Sequence, residues 1–119
     1  MLKVMIVDDE YYFREALKIS LSWQDLGFIV CGEAKNGKEA LDMIDDLEPD
    51  IILVDINMPI MDGLEFVNEL KNRGADCKIV ILTGHSEFQY AKEAVKLGVY
   101  NYILKPVNEK ELTETLIDI

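Results

Sequence analysis

The middle of the chain contains the apolar run IILVD at residues 51–55, which ends in an aspartate. Four further bursts rich in Val, Ile and Leu flank it, namely VMIV at 4–7, FIVCGEA at 28–34, KIVILT at 78–83 and YNYIL at 100–104. Near-continuous runs of this kind are typical of strands that are covered on both faces. We therefore expect five buried strands, with residues 51–55 forming the central one.

The segments between these runs carry apolar residues at helical spacing. The expected apolar stripes are Phe13, Ala16, Leu17 and Leu21; Ala40, Leu41, Ile44 and Leu47; Leu64, Val67 and Leu70; Phe88, Ala91, Ala94 and Val95; and Leu112, Leu116 and Ile119. Strand and helix alternate five times, which predicts an α/β fold with a parallel sheet, right-handed crossovers and helices on both faces.

Short polar residues followed three positions later by Glu or Gln mark the expected helix starts. The pairs are Asn36 with Glu39, Asp62 with Glu65, Ser86 with Gln89, and Asn108 with Glu111. Gly74 and Gly98 stand where the third and fourth helices should end in a left-handed residue. The helix boundaries are therefore predicted largely by local capping chemistry.

Length and charge restrict the classes of function. A chain of 119 residues is enough for one core but not for two domains. Its net charge of −11 argues against binding of nucleic acid or an anionic membrane by this domain, since both require a basic surface. The first ten residues resemble neither a secretory signal nor an anchor, so we expect a cytoplasmic protein.

Three residues invite a structural interpretation. Cys31 and Cys77 lie far apart without CxxC spacing, so we expect reduced, mostly buried thiols rather than a disulfide or a metal site. Trp23 is expected to pack in the core or at an interface. None of the three is a candidate for catalysis.

Polar side chains stand at strand ends where packing does not require them. Asp8 and Asp9 follow the first run, Asp55 closes the third, Thr83 closes the fourth and Lys105 follows the fifth. Each alone is commonly a turn former, a cap or a strand residue. Their joint occurrence favours a site, because ligands of open parallel sheets bind outside the carboxyl ends of the strands.

The expected chemistry of this site follows from its charges. Carboxylates that lie close together repel one another unless a counter-cation such as Mg²⁺ joins them. Asp55 is the candidate nucleophile for a phosphoryl group, while Lys105 and Thr83 supply a positive charge and a hydroxyl to the phosphoryl oxygens. The pattern indicates metal-dependent phosphoryl transfer to an aspartate.

Four ordered motifs resemble those of the receiver domains of bacterial two-component response regulators. They are IVDDE at 6–10, LVDINMPIMDG at 53–63, ILTGHSE at 81–87 and YNYILKP at 100–106, and the resemblance covers essentially the whole chain. It implies a doubly wound, flavodoxin-like (βα)5 fold with a five-stranded parallel sheet of strand order 2-1-3-4-5. We expect residues 1–119 to form one receiver domain with a truncated fifth helix, lacking its effector domain.

The same resemblance implies a role for each site residue. Asp55 would be the phosphorylation site and a metal ligand. Asp9 would bind Mg²⁺ directly, Asp8 mainly through water, and Asn57 through its backbone carbonyl.

Other positions are implied to contact the phosphoryl group or to respond to it. Thr83 and Lys105 would contact the phosphoryl oxygens, Gly84 would leave room for them, and the bond before Pro106 would be cis. Tyr102 would turn inward when Thr83 moves, which would remodel the face of helix 4, strand 5 and helix 5. Two further positions bear on the loops: His85 stands where the family tunes hydrolysis, and Ile60 is a modest departure because a polar residue is common there.

The resemblance also implies partners. A sensor histidine kinase would donate the phosphoryl group, and phosphorylation would favour a homodimer. The segments GFIVCGEAKNGKEAL and EFQYAKEAVKLGVYNYILKPV look like receivers that precede AraC-type helix-turn-helix domains. DNA binding would then belong to that absent effector domain. The receiver itself would act as a substrate and switch, with only self-phosphorylation and self-hydrolysis as activities.

Three other classes of function are left open. An aspartyl-phosphate phosphohydrolase would want an aspartate where Asn57 stands. A flavodoxin-like cofactor carrier would want a Ser, Thr and Gly loop after the first strand, whereas Asp8, Asp9 and Glu10 follow it. A protein-binding domain that works without phosphorylation would keep the same motifs.

Overall fold

The computed structural model describes residues 1–84 and 88–119, in which strands and helices alternate. The strands are β1 (Leu2–Val7), β2 (Phe28–Ala34), β3 (Ile51–Asp55), β4 (Lys78–Thr83) and β5 (Asn101–Leu104). The helices are α1 (Tyr11–Ser20), α2 (Gly37–Leu47), α3 (Gly63–Asn72), α4 (Phe88–Lys96) and α5 (Glu109–Asp118). The predicted strand and helix alternation is confirmed.

The strands form one parallel sheet in the order β2-β1-β3-β4-β5, as the resemblance implied. The central strand β3 is buried along its whole length and pairs with β1 on one side and β4 on the other. Val7 lies opposite Val54, and Asp55 lies opposite Leu82. The carboxyl ends of β1, β3 and β4 therefore meet at one edge of the sheet.

The core lies in two layers because successive residues of a strand point to opposite faces. Met5 and Val7 belong to the layer that α2, α3 and α4 cover, whereas Val4 and Ile6 belong to the layer that α1 and α5 cover. Trp23 is buried in the layer that α1 and α5 cover, and its indole N–H donates to the Lys18 carbonyl at 3.0 Å. The prediction of a packing role for Trp23 is confirmed. Within the described residues, none of the helices has the length and apolarity needed to cross a membrane.

Three of the predicted helix caps are present. The side chains of Asn36, Asp62 and Asn108 accept the backbone N–H groups of Glu39, Glu65 and Glu111 at 2.8, 2.9 and 3.0 Å respectively. The pair Asp62 and Glu65 also forms the reciprocal bond of a full capping box. The predicted cap at Ser86 lies outside the described residues.

The ends of α3 and α4 also follow the prediction. Gly74 and Gly98 have φ angles of +71° and +86°, so each adopts the left-handed conformation that ends a helix. A third residue of this kind was not foreseen. Glu48 caps α2 in the left-handed region with φ 48°, although it carries a side chain.

Two of the predicted apolar stripes are partly wrong. Ala94 is fully buried in α4, but Val95 is 51% exposed because the next residue on a helix points about 100° away. Ala16 is exposed on α1, where Leu17 takes the buried position. The structure describes the backbone of Phe88 and Ala91 but not their side chains. Cys31 and Cys77 are free, as predicted, but they are half-buried rather than mostly buried.

Ile60 has an unusual backbone conformation in the loop between β3 and α3. Its φ of 69° lies in the left-handed region, where a β-branched residue is strained, and its side chain is 80% exposed. Little burial therefore offsets the strain at this position.

Replacement of Ile60 by glycine is expected to raise the free energy of unfolding by about 1 kcal/mol, because glycine adopts positive φ without steric cost. Urea denaturation of the wild-type and Ile60→Gly domains measures this difference. The matched control is Ile19→Gly, since Ile19 is 85% exposed but lies in α1. No gain is expected there, and an equal effect of both variants would contradict the assignment of strain to Ile60.

Candidate functional site

Two buried carboxylates lie at the edge where β1 and β3 end. Asp55 is the last residue of β3, and Asp8 follows β1 directly. The backbone N–H of Asp8 donates to the Ala34 carbonyl at 3.0 Å, which extends the β1–β2 ladder by one residue. Asp8 is 1% exposed and Asp55 is 6% exposed. Carboxylates this deeply buried require a partner charge.

Lys105 supplies that charge from the end of β5. Its Nζ lies 2.9 Å from Asp8 Oδ2 and 3.5 Å from Asp55 Oδ2, and it lies 4.2 Å from the centre of the Phe13 ring. The backbone N–H of Lys105 donates to the Thr83 carbonyl at 2.7 Å, and the Lys105–Pro106 bond is cis. One ammonium group therefore joins two carboxylates from neighbouring strands and rests on an aromatic face.

Burial and neighbouring charges change the pKa values of Asp55 and Lys105 for different reasons. Burial raises the pKa of Asp55 from its ordinary 3.8 to about 6, with a further rise from the charge of Asp8 and a partial offset from Lys105. Burial would by itself lower the pKa of Lys105, but the hydrogen bond to Asp8 and the charge of Asp55 outweigh it and raise that pKa. Lys105 thus stays positively charged at neutral pH, while Asp55 holds a destabilised negative charge.

A second group of carboxylates lies in the turn between β1 and α1. Asp8, Asp9 and Glu10 each offer an oxygen, and these three oxygens lie within 4.8 Å of one another. Asp8 Oδ1 also accepts the backbone N–H of Glu10 at 2.8 Å. Asp9 and Glu10 are exposed, so a cation from solvent can reach them. Asp55 stands outside this group and is linked to it through Lys105.

We call residues Asp8, Asp9 and Glu10 the acidic turn, and their oxygen atoms fit Mg²⁺. Mg²⁺ prefers oxygen ligands, retains several waters and takes few carboxylates from a protein. Asp9 and Glu10 present such oxygens to solvent, and Asp8 holds a third in a fixed position. Asn57, which the resemblance implies as a ligand through its backbone carbonyl, is exposed between the buried residues Ile56 and Met58.

The remaining expected site residues lie on β4 and β5. Thr83 is fully buried, and its hydroxyl donates to the Gly84 carbonyl at 3.3 Å. Tyr102 lies opposite Ile81 in the sheet and packs, half-buried, against the core layer that α2, α3 and α4 cover. His85 lies outside the described residues.

Close backbone packing holds the segment that carries Asp55. A Cβ on Gly63 would overlap the Asp55 carbonyl oxygen, so α3 begins directly against the backbone of that residue. The N–H of Gly63 donates to the Ile56 carbonyl at 2.8 Å, and the N–H of Gly37 donates to the Met61 carbonyl at 3.0 Å. These contacts fix the position from which the Asp55 carboxylate reaches the edge of the sheet.

Three residues of the site were not predicted from the sequence. Glu10 belongs to the quoted IVDDE motif, so its place beside Asp8 and Asp9 could have been foreseen from adjacency. Phe13 beneath Lys105 and Arg14 beside Asp8 carry no comparable local signal. Their contacts depend on which face of α1 meets the sheet.

The chain is similar to known proteins over nearly its whole length. Residues 4–117 match the model of the response regulator receiver domain family. The transcriptional regulatory proteins YdfI and YesN of Bacillus subtilis are 42% and 38% identical over 96% and 100% of this chain, respectively. The match spans 53% of YdfI and 32% of YesN, so the chain covers about a third to a half of these curated relatives.

Solved structures of response regulators have the same fold as this chain. The REC domain of AraT, a response regulator from Geobacillus stearothermophilus, is 38% identical with a TM-score of 0.89, covering 98% of this chain and 90% of that one. A two-component transcriptional regulator AraC from Clostridium phytofermentans is 31% identical with a TM-score of 0.89, covering 99% and 92%. Since family match, fold and strand order agree over almost every residue, the chain belongs to the response regulator receiver domain family.

Proposed function

We propose that this domain is a phosphoacceptor switch in which Asp55 accepts a phosphoryl group from a sensor histidine kinase while Mg²⁺ is bound. The observation that carries the proposal is the shared contact of Lys105 Nζ with Asp8 and Asp55. This arrangement keeps a nucleophilic carboxylate next to a positive charge at the carboxyl edge of the sheet. Family membership supports the histidine kinase as donor.

The chain's own residues perform most of the proposed step. An Asp55 carboxylate oxygen attacks phosphorus, the bond from phosphorus to the donor nitrogen breaks, and an acyl phosphate forms. With a pKa of about 6, Asp55 is largely ionised above neutral pH and can act as nucleophile. Lys105 and Thr83 then stabilise the phosphoryl oxygens, for which Lys105 exchanges a carboxylate partner for the new group. Bound Mg²⁺ supplies charge neutralisation for the transferred group.

The proposed Mg²⁺ site combines Asp8, Asp9 and Asp55 with the backbone carbonyl of Asn57. The clustered oxygens of the acidic turn support it, since their mutual repulsion favours a cation. The domain is then a substrate and switch, which phosphorylates and dephosphorylates itself but does not turn over an external substrate. The regulatory names of its relatives support this reading.

The proposed output is transcriptional control by a C-terminal DNA-binding domain of the AraC type, in a cytoplasmic protein. Movement of Thr83 toward the phosphoryl group would let Tyr102 turn inward, which would alter the face of α4, β5 and α5 and favour a homodimer. Tyr102 and Thr83 lie on paired strands, which supports the coupling. The net charge of −11 supports DNA contact outside this domain. Similarity to AraT of Geobacillus stearothermophilus and to the AraC regulator of Clostridium phytofermentans supports that effector, while a LuxR-family regulator of Staphylococcus aureus shares the fold.

Incubation of the purified domain with acetyl phosphate and Mg²⁺ is expected to add one phosphoryl group, because a small acyl phosphate can replace the kinase as donor. Intact-mass spectrometry measures labelling, and peptide mapping after reduction of the acyl phosphate locates it at Asp55. Asp55→Asn should reduce labelling to background, since an amide is a poor nucleophile. Removal of Mg²⁺ with a chelator should have the same effect.

The matched control is Asp42→Asn, which changes an exposed aspartate on α2 and should label like wild type. Undiminished labelling of Asp55→Asn would contradict the choice of acceptor. Undiminished labelling in the presence of chelator would contradict the metal requirement.

Asp55→Asn is also expected to stabilise the metal-free domain at neutral pH by about 1–3 kcal/mol, since burial raises the Asp55 pKa from 3.8 to about 6 and one pKa unit corresponds to about 1.4 kcal/mol. The folded state binds this proton more tightly than the unfolded state. The cost of the buried charge is therefore present above about pH 6 and fades as the pH falls toward about 4. Urea denaturation of wild type and variant at both ends of this range measures the difference.

Addition of Mg²⁺ should reduce the advantage of the variant at neutral pH, because the ion binds and stabilises the native wild type preferentially. Asp42→Asn again serves as the control and should show no comparable gain. The same stability difference at neutral and acid pH would contradict a buried Asp55 charge as its cause.

A further inference from the structure

Arg14 links the acidic turn to the edge strand β2. Its Nη1 donates to the backbone carbonyl of Asp8 at 2.5 Å, and its Nε donates to Glu33 Oε1 at 3.1 Å. The side chain is only 14% exposed. The N–H of Asp8 donates to the carbonyl of Ala34, which follows Glu33 on β2. Both backbone polar groups of Asp8 are therefore anchored to β2, one directly and one through Arg14.

The anchor on β2 is itself held in place. Lys18 Nζ lies 2.6 Å from Glu33 Oε2, so Arg14 and Lys18 each bind one oxygen of the Glu33 carboxylate. Burial would raise the pKa of Glu33, but the hydrogen bonds from Lys18 and Arg14 outweigh it and lower that pKa. Glu33 is thus ionised at neutral pH and keeps the guanidinium of Arg14 in one orientation.

The bond to the Asp8 carbonyl acts on Asp9 through the peptide plane. The carbonyl oxygen of Asp8, the nitrogen of Asp9 and the Cα of Asp9 lie in one plane because the peptide bond is planar. A guanidinium that fixes this oxygen therefore fixes the point from which the Asp9 side chain extends. Asp9 is one of the three residues whose oxygens cluster within 4.8 Å.

The charge of Arg14 has the opposite effect on a cation. A positive group beside Asp8 repels a divalent ion, so its charge alone would weaken binding in the acidic turn. If Arg14 acts through position, its replacement lowers the Mg²⁺ affinity; if it acts through charge, removal of that charge raises the affinity. This difference makes the role of Arg14 measurable.

We propose that Arg14, held by Glu33, is a positioning residue that orients the Asp8–Asp9 peptide for divalent-cation binding in the acidic turn. The proposal rests on the proposed Mg²⁺ site. It adds a requirement that α1 and β2 stay docked for the ion to bind. Arg14 touches neither the ion nor the phosphoryl group in this role.

Isothermal titration calorimetry with Mg²⁺ tests the proposal on the whole domain. Arg14→Gln removes both the positive charge and the guanidinium. Arg14→Lys keeps the positive charge, but a lysine ammonium lacks the planar guanidinium that donates to Asp8 and Glu33 at once. Both variants should weaken Mg²⁺ binding by about tenfold, the loss typical when an outer support of a metal ligand is removed. Glu33→Gln should weaken it by a smaller factor, because Arg14 keeps its bond to Asp8 but loses its anchor.

Lys38→Gln is the matched control, since it also removes one positive charge but lies in an exposed ion pair with Asp42 on α2. It should leave the Mg²⁺ affinity unchanged. Urea denaturation without Mg²⁺ checks that each variant is folded. Amide hydrogen exchange gives a second readout, in which the N–H groups of Asp9 and Glu10 should exchange faster in Arg14→Gln while those of α5 stay as in wild type.

The outcomes separate the two proposals. Unchanged or tighter Mg²⁺ binding by Arg14→Gln and Arg14→Lys would overturn the positioning role and leave the proposed function intact. Absence of Mg²⁺ binding by the wild-type domain would overturn the metal site of the proposed function and the positioning role with it. Weaker binding in both Arg14 variants, with faster exchange confined to the acidic turn, would support the role.

Discussion

One ammonium group shared by two buried carboxylates dominates this end of the molecule. Asp8 and Asp55 are nearly inaccessible to water, and Lys105 is the cation that contacts both. Two like charges in a poorly solvated setting repel strongly, so the arrangement depends on a positive charge at this position. The sheet makes that possible because its parallel strands all end at the same edge.

The buried residues of the site are held in place by several contacts. Asp55 is held by the close approach of Gly63 and by the capping box that starts α3. Asp8 is held through its N–H, its carbonyl and both carboxylate oxygens. Asp9 and Glu10 remain exposed. For the proposed phosphoacceptor role, this means that Asp55 is in place before a cation or phosphoryl donor arrives, which lowers the reorganisation needed for reaction.

The sheet also places Thr83 beside the strand that carries Tyr102. Thr83 at the end of β4 lies opposite Leu104, and Tyr102 lies two residues earlier on the same strand β5. Tyr102 is half-buried against the core layer of α2, α3 and α4. A displacement of Thr83 therefore acts directly on β5, because the two strands are paired. A close-packed interior favours a switch between two arrangements over a gradual shift. This geometry supports the proposed coupling between phosphorylation and the face of α4, β5 and α5.

The strands and helices and their order along the chain can be read from the amino-acid sequence. Hydrophobic runs predicted the strands, the polar caps at Asn36, Asp62 and Asn108 predicted three helix starts, and Gly74 and Gly98 predicted two helix ends. These signals are local, because they depend on residues within one or two turns of each other. The grouping of Asp8, Asp55 and Lys105 was also predictable, since strand ends of a parallel sheet share an edge.

Which atoms come into contact depends on how the elements pack together. The exposure of Val95, the half-buried cysteines, the left-handed conformation of Ile60, the ring of Phe13 under Lys105 and the bond from Arg14 to Asp8 have no signature in the local sequence. Each depends on strand register and on the angle at which a helix lies on the sheet. Those quantities result from packing the whole core at once, because contacts between residues distant in sequence form only when every layer fits.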